Sequence, residues 1–197
     1  RDYTFRSFAP IESPDMQFDY LTVEKTTLRA VKIDAKKGDF ISVTDQNGAV
    51  AYQGIVDDVE TDKTGVTISA QPLMSLFDVD VHFDRSTSSK IEQFIAGIIT
   101  DNFISSGDAL QNISGMTVET TSETTGALNL KDNIHSFYEI ITKSLTAYGI
   151  AINMAFDPQN KAITVTVGKV SGNAVIEANL QAIVDKNIII GDSSGQL

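Results

Sequence analysis

Between residues 21 and 70, apolar and polar side chains alternate in short runs that break at turn residues, which predicts strands rather than helix. LTVEKT (Leu21 to Thr26) and LRAVKID (Leu28 to Asp34) alternate in part, and DFISVTD follows. Gln46-Asn47-Gly48 then reads as a hairpin, since Asn and Gly both accept positive φ. The returning strand AVAYQGIVDDVE (Ala49 to Glu60) contains Gly54, a mark of a bulge or barrel bend. Asp62-Lys63-Thr64-Gly65 forms the next turn, VTISA (Val66 to Ala70) the next strand, and Pro72 interrupts the ladder. The most regular alternation is LFDVDVHFDR (Leu76 to Arg85). As a strand it sends Phe77, Val79, Val81 and Phe83 to the core and Asp78, Asp80, His82 and Asp84 to the other face. Five or six strands on short turns predict a small barrel or sandwich.

The period then changes. Ser89 with Glu92 three residues later reads as a capping box, and Ile91, Phe94, Ile95, Ile98 and Ile99 follow at helical spacing, with Phe103 near the end. Ser105 to Asp108 stops this helix. Ala109 to Leu128 is rich in Ser, Thr and Gly, with one strand signal, MTVETT. A second helix spans DNIHSFYEIITKSLTAYG, capped by Asp132 or Asn133, with Ile134, Phe137, Ile141 and Leu145 as its stripe and Gly149 as its C′ residue. Both stripes predict packing against the sheets. A hairpin follows, IAINMAF and KAITVTV around Asp157-Pro158-Gln159-Asn160, where proline presets φ and Asp157 accepts backbone hydrogen bonds. AVIEA and NIII give the last strand signals.

Composition narrows the partners. The 197 residues, 42% apolar, are enough for one or two domains with a real core. A net charge of -11 argues against nucleic acid and anionic membrane surfaces. The absence of cysteine removes disulfides, thiolate zinc sites and Cys nucleophiles together. No apolar run has the roughly 18 residues a membrane-spanning helix needs. RDYTFRSF at the N-terminus lacks a signal-peptide core, so synthesis in a cytosol is expected. The chain starts without Met and stops at GDSSGQL, which reads as a fragment.

The candidate chemistry centres on Asp78, Asp80, His82 and Asp84, three carboxylates and an imidazole in one row. Neighbours on one strand face lie about 6.5–7 Å apart, two residue rises. A single cation needs its ligand atoms within about 2–2.6 Å, so one straight strand supplies two ligands at most. The row therefore reads first as a solvated strand face or subunit contact, and as a cation site only with help from elsewhere. DDVETDKTG (Asp57 to Gly65) fails as a calcium loop, with Lys63 where Gly is required and Ser69 where Glu is required. His135, early in the second helix, reads as a packing or surface residue. Nucleophile elbow, Walker A and dinucleotide-binding motifs are absent. Carboxylate pairs for glycoside cleavage stay open, because spatial pairing is invisible in a sequence. The absence of Trp weakens a carbohydrate-binding reading. Asn112-Ile113-Ser114 matches a glycosylation pattern without a secretory context. No catalytic residue, cofactor or resident metal is assigned.

Two stretches carry a family resemblance. YQGIVDDVETDKTGVTISAQPLMSLFDVDV (Tyr52 to Val81) gives strand, turn, strand and a proline-led PLMSLFD. NLKDNIHSFYEIITKSLTAYGIAINMAFDPQNKAITVTVGKV (Asn129 to Val170) gives helix, glycine, strand, tight turn and strand. The succession resembles the N-terminal structural module of phage tail-tip hub proteins, including tail-associated lysins, contractile-tail baseplate hubs and type VI secretion spike hubs. It covers most of residues 20 to 170. The resemblance implies an α+β, mainly β chain of two small antiparallel barrel-like domains with two packed helices, interleaved in the full-length protein. The first domain would span 1–85 and the second 86–186, with 187–197 starting a return to the first. It implies a homotrimer in the tail of a virion, between the distal tail protein with the tail tube and tape-measure proteins and a fibre or spike. Any peptidase or lysin activity would lie in later domains. The rival readings are a peptidoglycan hydrolase using carboxylates and a host-receptor-binding module.

Overall fold

A computed structural model describes residues 3–11, 25–45, 47–84 and 88–170. The chain is α+β and mainly β, and its first sheet is curled. That sheet contains β1 (Thr26–Ala30), β2 (Phe40–Thr44), β3 (Val50–Thr61) and β4 (Val66–Pro72), all antiparallel in the order β1-β4-β3-β2. Alternation buries Leu28, Val43, Tyr52, Val56, Ile68 and Ala70 in one small core. LRAVKID does not continue as a strand to Asp34. Its partner runs out, because Ala30 already faces Val66 at the start of β4, and the chain bends with Val31 exposed. Leu21 to Glu24 of LTVEKT lie outside the described residues.

Both hairpin turns form, each built around an aspartate. Asp45 Oδ1 accepts the N–H groups of Asn47 at 2.9 Å and Ala49 at 2.8 Å, and the Asp45 carbonyl accepts the Gly48 N–H at 3.1 Å. Of Asn47 and Gly48, only Gly48 takes positive φ, 83°. The loop is therefore the three-residue kind with a left-handed third position; Gln46 itself is outside the described residues. At the other end of β3, Asp62 Oδ1 accepts Thr64 N–H at 2.6 Å and Gly65 N–H at 2.9 Å. Gly54 does not mark a bulge: the register of β3 shifts between Val56 and Asp58 against β4, and between Val50 and Tyr52 against β2. Glycine is needed at position 54 for close approach: a Cβ would overlap the Gln71 carbonyl oxygen and the Tyr52 hydroxyl.

After Pro72 the chain makes a 3-10 turn, Leu73–Phe77. Then come β5 (Asp80–His82), β6 (Ser88–Lys90), α1 (Ile91–Ile99) with a π-helical turn over Thr100–Ile104, β7 (Met116–Thr120), β8 (Thr125–Ala127), β9 (Ile134–Ser136), α2 (Phe137–Tyr148), β10 (Ile150–Asp157) and β11 (Ala162–Lys169). β10 and β11 form the expected antiparallel hairpin, and β7 adds parallel to β11. β5 pairs with β9, and β6 with β8. Gly149 closes α2 in the left-handed conformation, φ 67°, its N–H donating to the Leu145 carbonyl.

Both helix starts differ from expectation. Lys90, not Ser89, occupies the N-cap of α1, without a side-chain cap, because Ser89 is paired with Gly126 in β6–β8. Helix α2 begins at Phe137, because Asn133 to Ser136 are drawn into pairing with β5. His135 thus sits on a strand. Ile134 is 61% exposed rather than part of the stripe, which is Phe137, Ile140, Ile141 and Ser144. In each case long-range strand pairing overrides a local capping signal.

The larger core gathers α1, α2 and the three-stranded sheet around Phe77, which meets Phe137 edge to face at 5.1 Å. Full burial of each such ring or isoleucine contributes about 1.5–3 kcal/mol. Tyr3, Phe40 and Phe156 cluster between the first sheet and the larger core, Tyr3 edge-on to Phe40 and the other pairs tilted, with Phe40 and Phe156 centroids 4.9 Å apart. AVIEA, NIII and the segment 187–197 lie outside the described residues.

Three edge positions are closed by one side chain each. Phe156 points its backbone groups away from β11; Gln53 donates to its carbonyl at 2.6 Å and accepts its N–H at 2.8 Å. His82 points away from β9; Asn102 donates to its carbonyl at 2.9 Å and accepts its N–H at 3.2 Å. Ala127 points away from β6; the Tyr148 hydroxyl donates to its carbonyl at 2.8 Å and accepts its N–H at 2.9 Å. Each side chain carries both a donor and an acceptor, which the role requires.

Candidate functional site

The acidic row is shorter than its alternation implies. Phe77 belongs to the 3-10 turn, so only Asp80, Val81 and His82 lie in β5. Val81 is 1% exposed and Phe83 is buried, as expected, but Val79 is 47% exposed. The alternation keeps its phase on either side, and Val79 alone departs from it, in the bend between the 3-10 turn and β5. Asp78, Asp80, His82 and Asp84 all face solvent. His82 Nε2 lies 3.6 Å from Asp84 Oδ1, with both side chains well exposed. Asp78 instead raises the Tyr138 hydroxyl: burial chiefly, with the Asp78 charge beside it, pushes this phenol up to about 12. Tyr138 donates to the Met74 carbonyl at 3.0 Å. Among the described residues, no group of three or more His, Asp or Glu side chains is placed to hold a metal ion.

Beside the row runs an open groove of about 610 Å³, lined by His82, Asp84, Asp101, Asn102, Asp108 and Gln111 among others. Its carboxylates, on Asp84, Asp101 and Asp108, are all exposed, and Asn102 is committed to the His82 backbone and to the Ile98 carbonyl at 2.9 Å.

His135 is held on three sides. Its ring stacks on Phe83 at 6.2 Å, its Nε2 accepts a long bond from the Asp132 N–H at 3.4 Å, and its Nδ1 faces Glu139 Oε2 at 3.0 Å. The accepting Nε2 assigns the proton to Nδ1. Lys143 Nζ meets the other Glu139 oxygen at 2.8 Å. The Lys143 and His135 hydrogen bonds hold the Glu139 carboxyl at about 2.

The fully buried carboxylate is Glu92, 0% exposed. Its two oxygens accept the Ser122 hydroxyl at 2.7 Å, the Thr124 N–H at 2.7 Å and the Thr124 hydroxyl at 2.8 Å. Burial raises its pKa, and these bonds together outweigh burial and lower it. Through these bonds Glu92 ties the start of α1 to the loop before β8. At the hairpin end that fails as a calcium loop, Asp62 is held at about 2 by the Thr64 hydroxyl and backbone, with Arg29 beside it. Asp57 at the bulge is lowered by hydrogen bonds from Lys25 and Lys37, at 2.5 and 3.2 Å.

The sequence marks Glu92 through a capping pattern but gives its partners wrongly. Gln53, Asn102 and Tyr148 carry no local signal, since an edge cap is defined by a strand distant in sequence.

No protein-family model matches the chain, and no curated protein matches it by sequence. Solved structures share part of its architecture. A tail protein from Neisseria meningitidis is 11% identical with a TM-score of 0.46, over 75% of this chain and 43% of that one. A prophage tail protein from Shewanella oneidensis is 14% identical with a TM-score of 0.42, over 73% and 46%. An Escherichia coli component of the type VI secretion system is 10% identical with a TM-score of 0.43, over 75% and 42%. The chain spans less than half the length of each. It is similar in partial architecture to phage tail and type VI secretion proteins, at identities and scores that assign no function.

Proposed function

We propose that this chain is a structural piece of a phage or prophage tail tip, the N-terminal part of a hub that closes the tail tube and links the distal tail protein to a fibre, spike or lysin. The observation that carries this reading is where its carboxylates are spent. Glu92, Glu139, Asp57 and Asp62 are bound to turns, helix neighbours and lysines, and among the described residues the acidic row joins no group of three or more His, Asp or Glu placed to hold a metal ion. Chemistry by paired carboxylates needs two of them facing one space with different environments, whereas the carboxylates lining the groove, Asp84, Asp101 and Asp108, are all exposed. The element order that carries the sequence resemblance supports the same reading.

On this proposal the working state is a homotrimer in the virion, made in the host cytoplasm, with two interleaved barrel-like domains divided near residue 85. The tail tube and tape-measure proteins lie on one side, and hydrolase activity belongs to other domains. Light scattering on a longer chain that continues past Leu197 is expected to give a trimer. A monomer that cleaves peptidoglycan would overturn the proposal in favour of a hydrolase, and saccharide binding by a monomer would favour a receptor-binding module.

A further inference from the structure

We propose that Asn47 is a site of spontaneous covalent conversion, in which the Gly48 amide displaces the Asn47 side-chain nitrogen. Asn47 is the one asparagine in the chain followed by glycine; every other precedes a residue with a side chain. That matters because the attacking nitrogen belongs to the following residue, and a side chain on it crowds the approach.

The structure adds three observations. Asn47 and Gly48 are exposed, and the space where a Gly48 Cβ would stand is empty to 4 Å, so a ring closing there meets no neighbour. The carboxamides of Asn102, Asn112 and Asn160 donate to His82, Ser106 and Asp157, whereas that of Asn47, like those of Asn129, Asn133 and Asn153, makes no bond among the described residues, and of these four only Asn47 precedes a glycine. Finally, Asp45 grips the backbone on both sides of the reacting pair, through Asn47 N–H and Ala49 N–H, and leaves the reacting side chain loose. The one bond that must open is the Gly48 N–H to the Asp45 carbonyl, 3.1 Å at the tip of the hairpin.

The step balances without a co-reactant other than water. The deprotonated Gly48 nitrogen forms a bond to Asn47 Cγ. The Cγ–N bond of the carboxamide breaks, and ammonia leaves with the proton. A five-membered imide remains, and water adds to one of its two carbonyls. Opening one way gives aspartate. Opening the other way gives isoaspartate, with the main chain routed through the side-chain carbon. Either product places a carboxylate near Asp45. The second also lengthens a three-residue loop whose size sets the register of β2 against β3.

The test is peptide mapping by mass spectrometry after the whole protein is held at mildly alkaline pH. The Asn47 peptide is expected to gain the mass of NH replaced by O, to resolve into aspartate and isoaspartate forms, and to convert faster as pH rises. Asn47→Gln, which leaves Gly48 and the turn in place, should abolish the conversion. Conversion of Asn102, Asn112 or Asn160 at an equal or greater rate, or a product with no isoaspartate, would overturn the proposal.

Discussion

The Gln53 carboxamide stands beside Phe156 as the peptide group of a neighbouring strand would, accepting its N–H at 2.8 Å and donating to its carbonyl at 2.6 Å. This pair links β3 of the first sheet to β10 of the second, next to the Tyr3, Phe40 and Phe156 rings. Gln53→Ala leaves both backbone groups without protein partners. The expected loss is about 1–3 kcal/mol, read as a lower denaturant midpoint. Gln53→Glu keeps the acceptor but sets a carboxylate against the Phe156 carbonyl, and should cost no less.

Glu92 is the most consequential carboxylate. Glu92→Ala strips partners from Ser122 and Thr124 inside the fold, with an expected loss on the order of 3 kcal/mol. Hydrogen exchange should rise first at Thr124. Glu92→Gln retains one carbonyl oxygen and should lose less, which chemical denaturation of the two variants side by side will rank.

Acid should weaken the fold in a defined window. Asp62 and Glu139 fall from ordinary values of 3.8 and 4.5 to about 2 in the folded chain. A folded value below the unfolded one means the stabilisation is complete above the unfolded value and disappears as pH falls through the folded one. The denaturation midpoint should therefore hold near neutrality and drop between about pH 4.5 and 2. Asp62→Asn and Glu139→Gln should each flatten part of that drop.

The break in alternation at Val79 makes a sharper test of the fold. Phe137→Ala removes a fully buried ring packed on Phe77 and should cost about 3–5 kcal/mol. Val79→Thr and Ile134→Thr, at exposed positions, should stay within about 0.5 kcal/mol of the parent. A large loss from Val79→Thr would restore the continuous strand that the sequence suggests.

Gly54→Ala should behave like overpacking rather than like a helix-propensity change. The added methyl overlaps the Gln71 carbonyl oxygen, a backbone atom that moves only with β4. A loss of about 1–3 kcal/mol in thermal or chemical unfolding is expected.

What the sequence discloses follows the range of the interaction responsible. Hairpin turns are readable because Asp45, Asp62 and Asp157 act on residues two to four positions away. The C-terminal end of α2 is readable for the same reason, through Gly149. Helix starts are not, because β6–β8 and β5–β9 pair residues far apart in sequence and claim Ser89 and Asn133 to Ser136 first. The acidic row faces water at Asp78, Asp80, His82 and Asp84, as its alternation predicts. Its apolar side departs from the pattern at Val79, since alternation says nothing about where a 3-10 turn ends.

The three single-side-chain caps have a consequence for the order in which the chain is made. Gln53 leaves the ribosome 103 residues ahead of Phe156, so its plug is already waiting when β10 emerges. His82 and Ala127 are made 20 and 21 residues before Asn102 and Tyr148. For that interval each position lacks the side chain that closes it, and β5 waits longer still for its ladder partner, since β9 is made after Asn102. Gln53 is thus a cap that precedes its strand, whereas Asn102 and Tyr148 are caps that follow theirs.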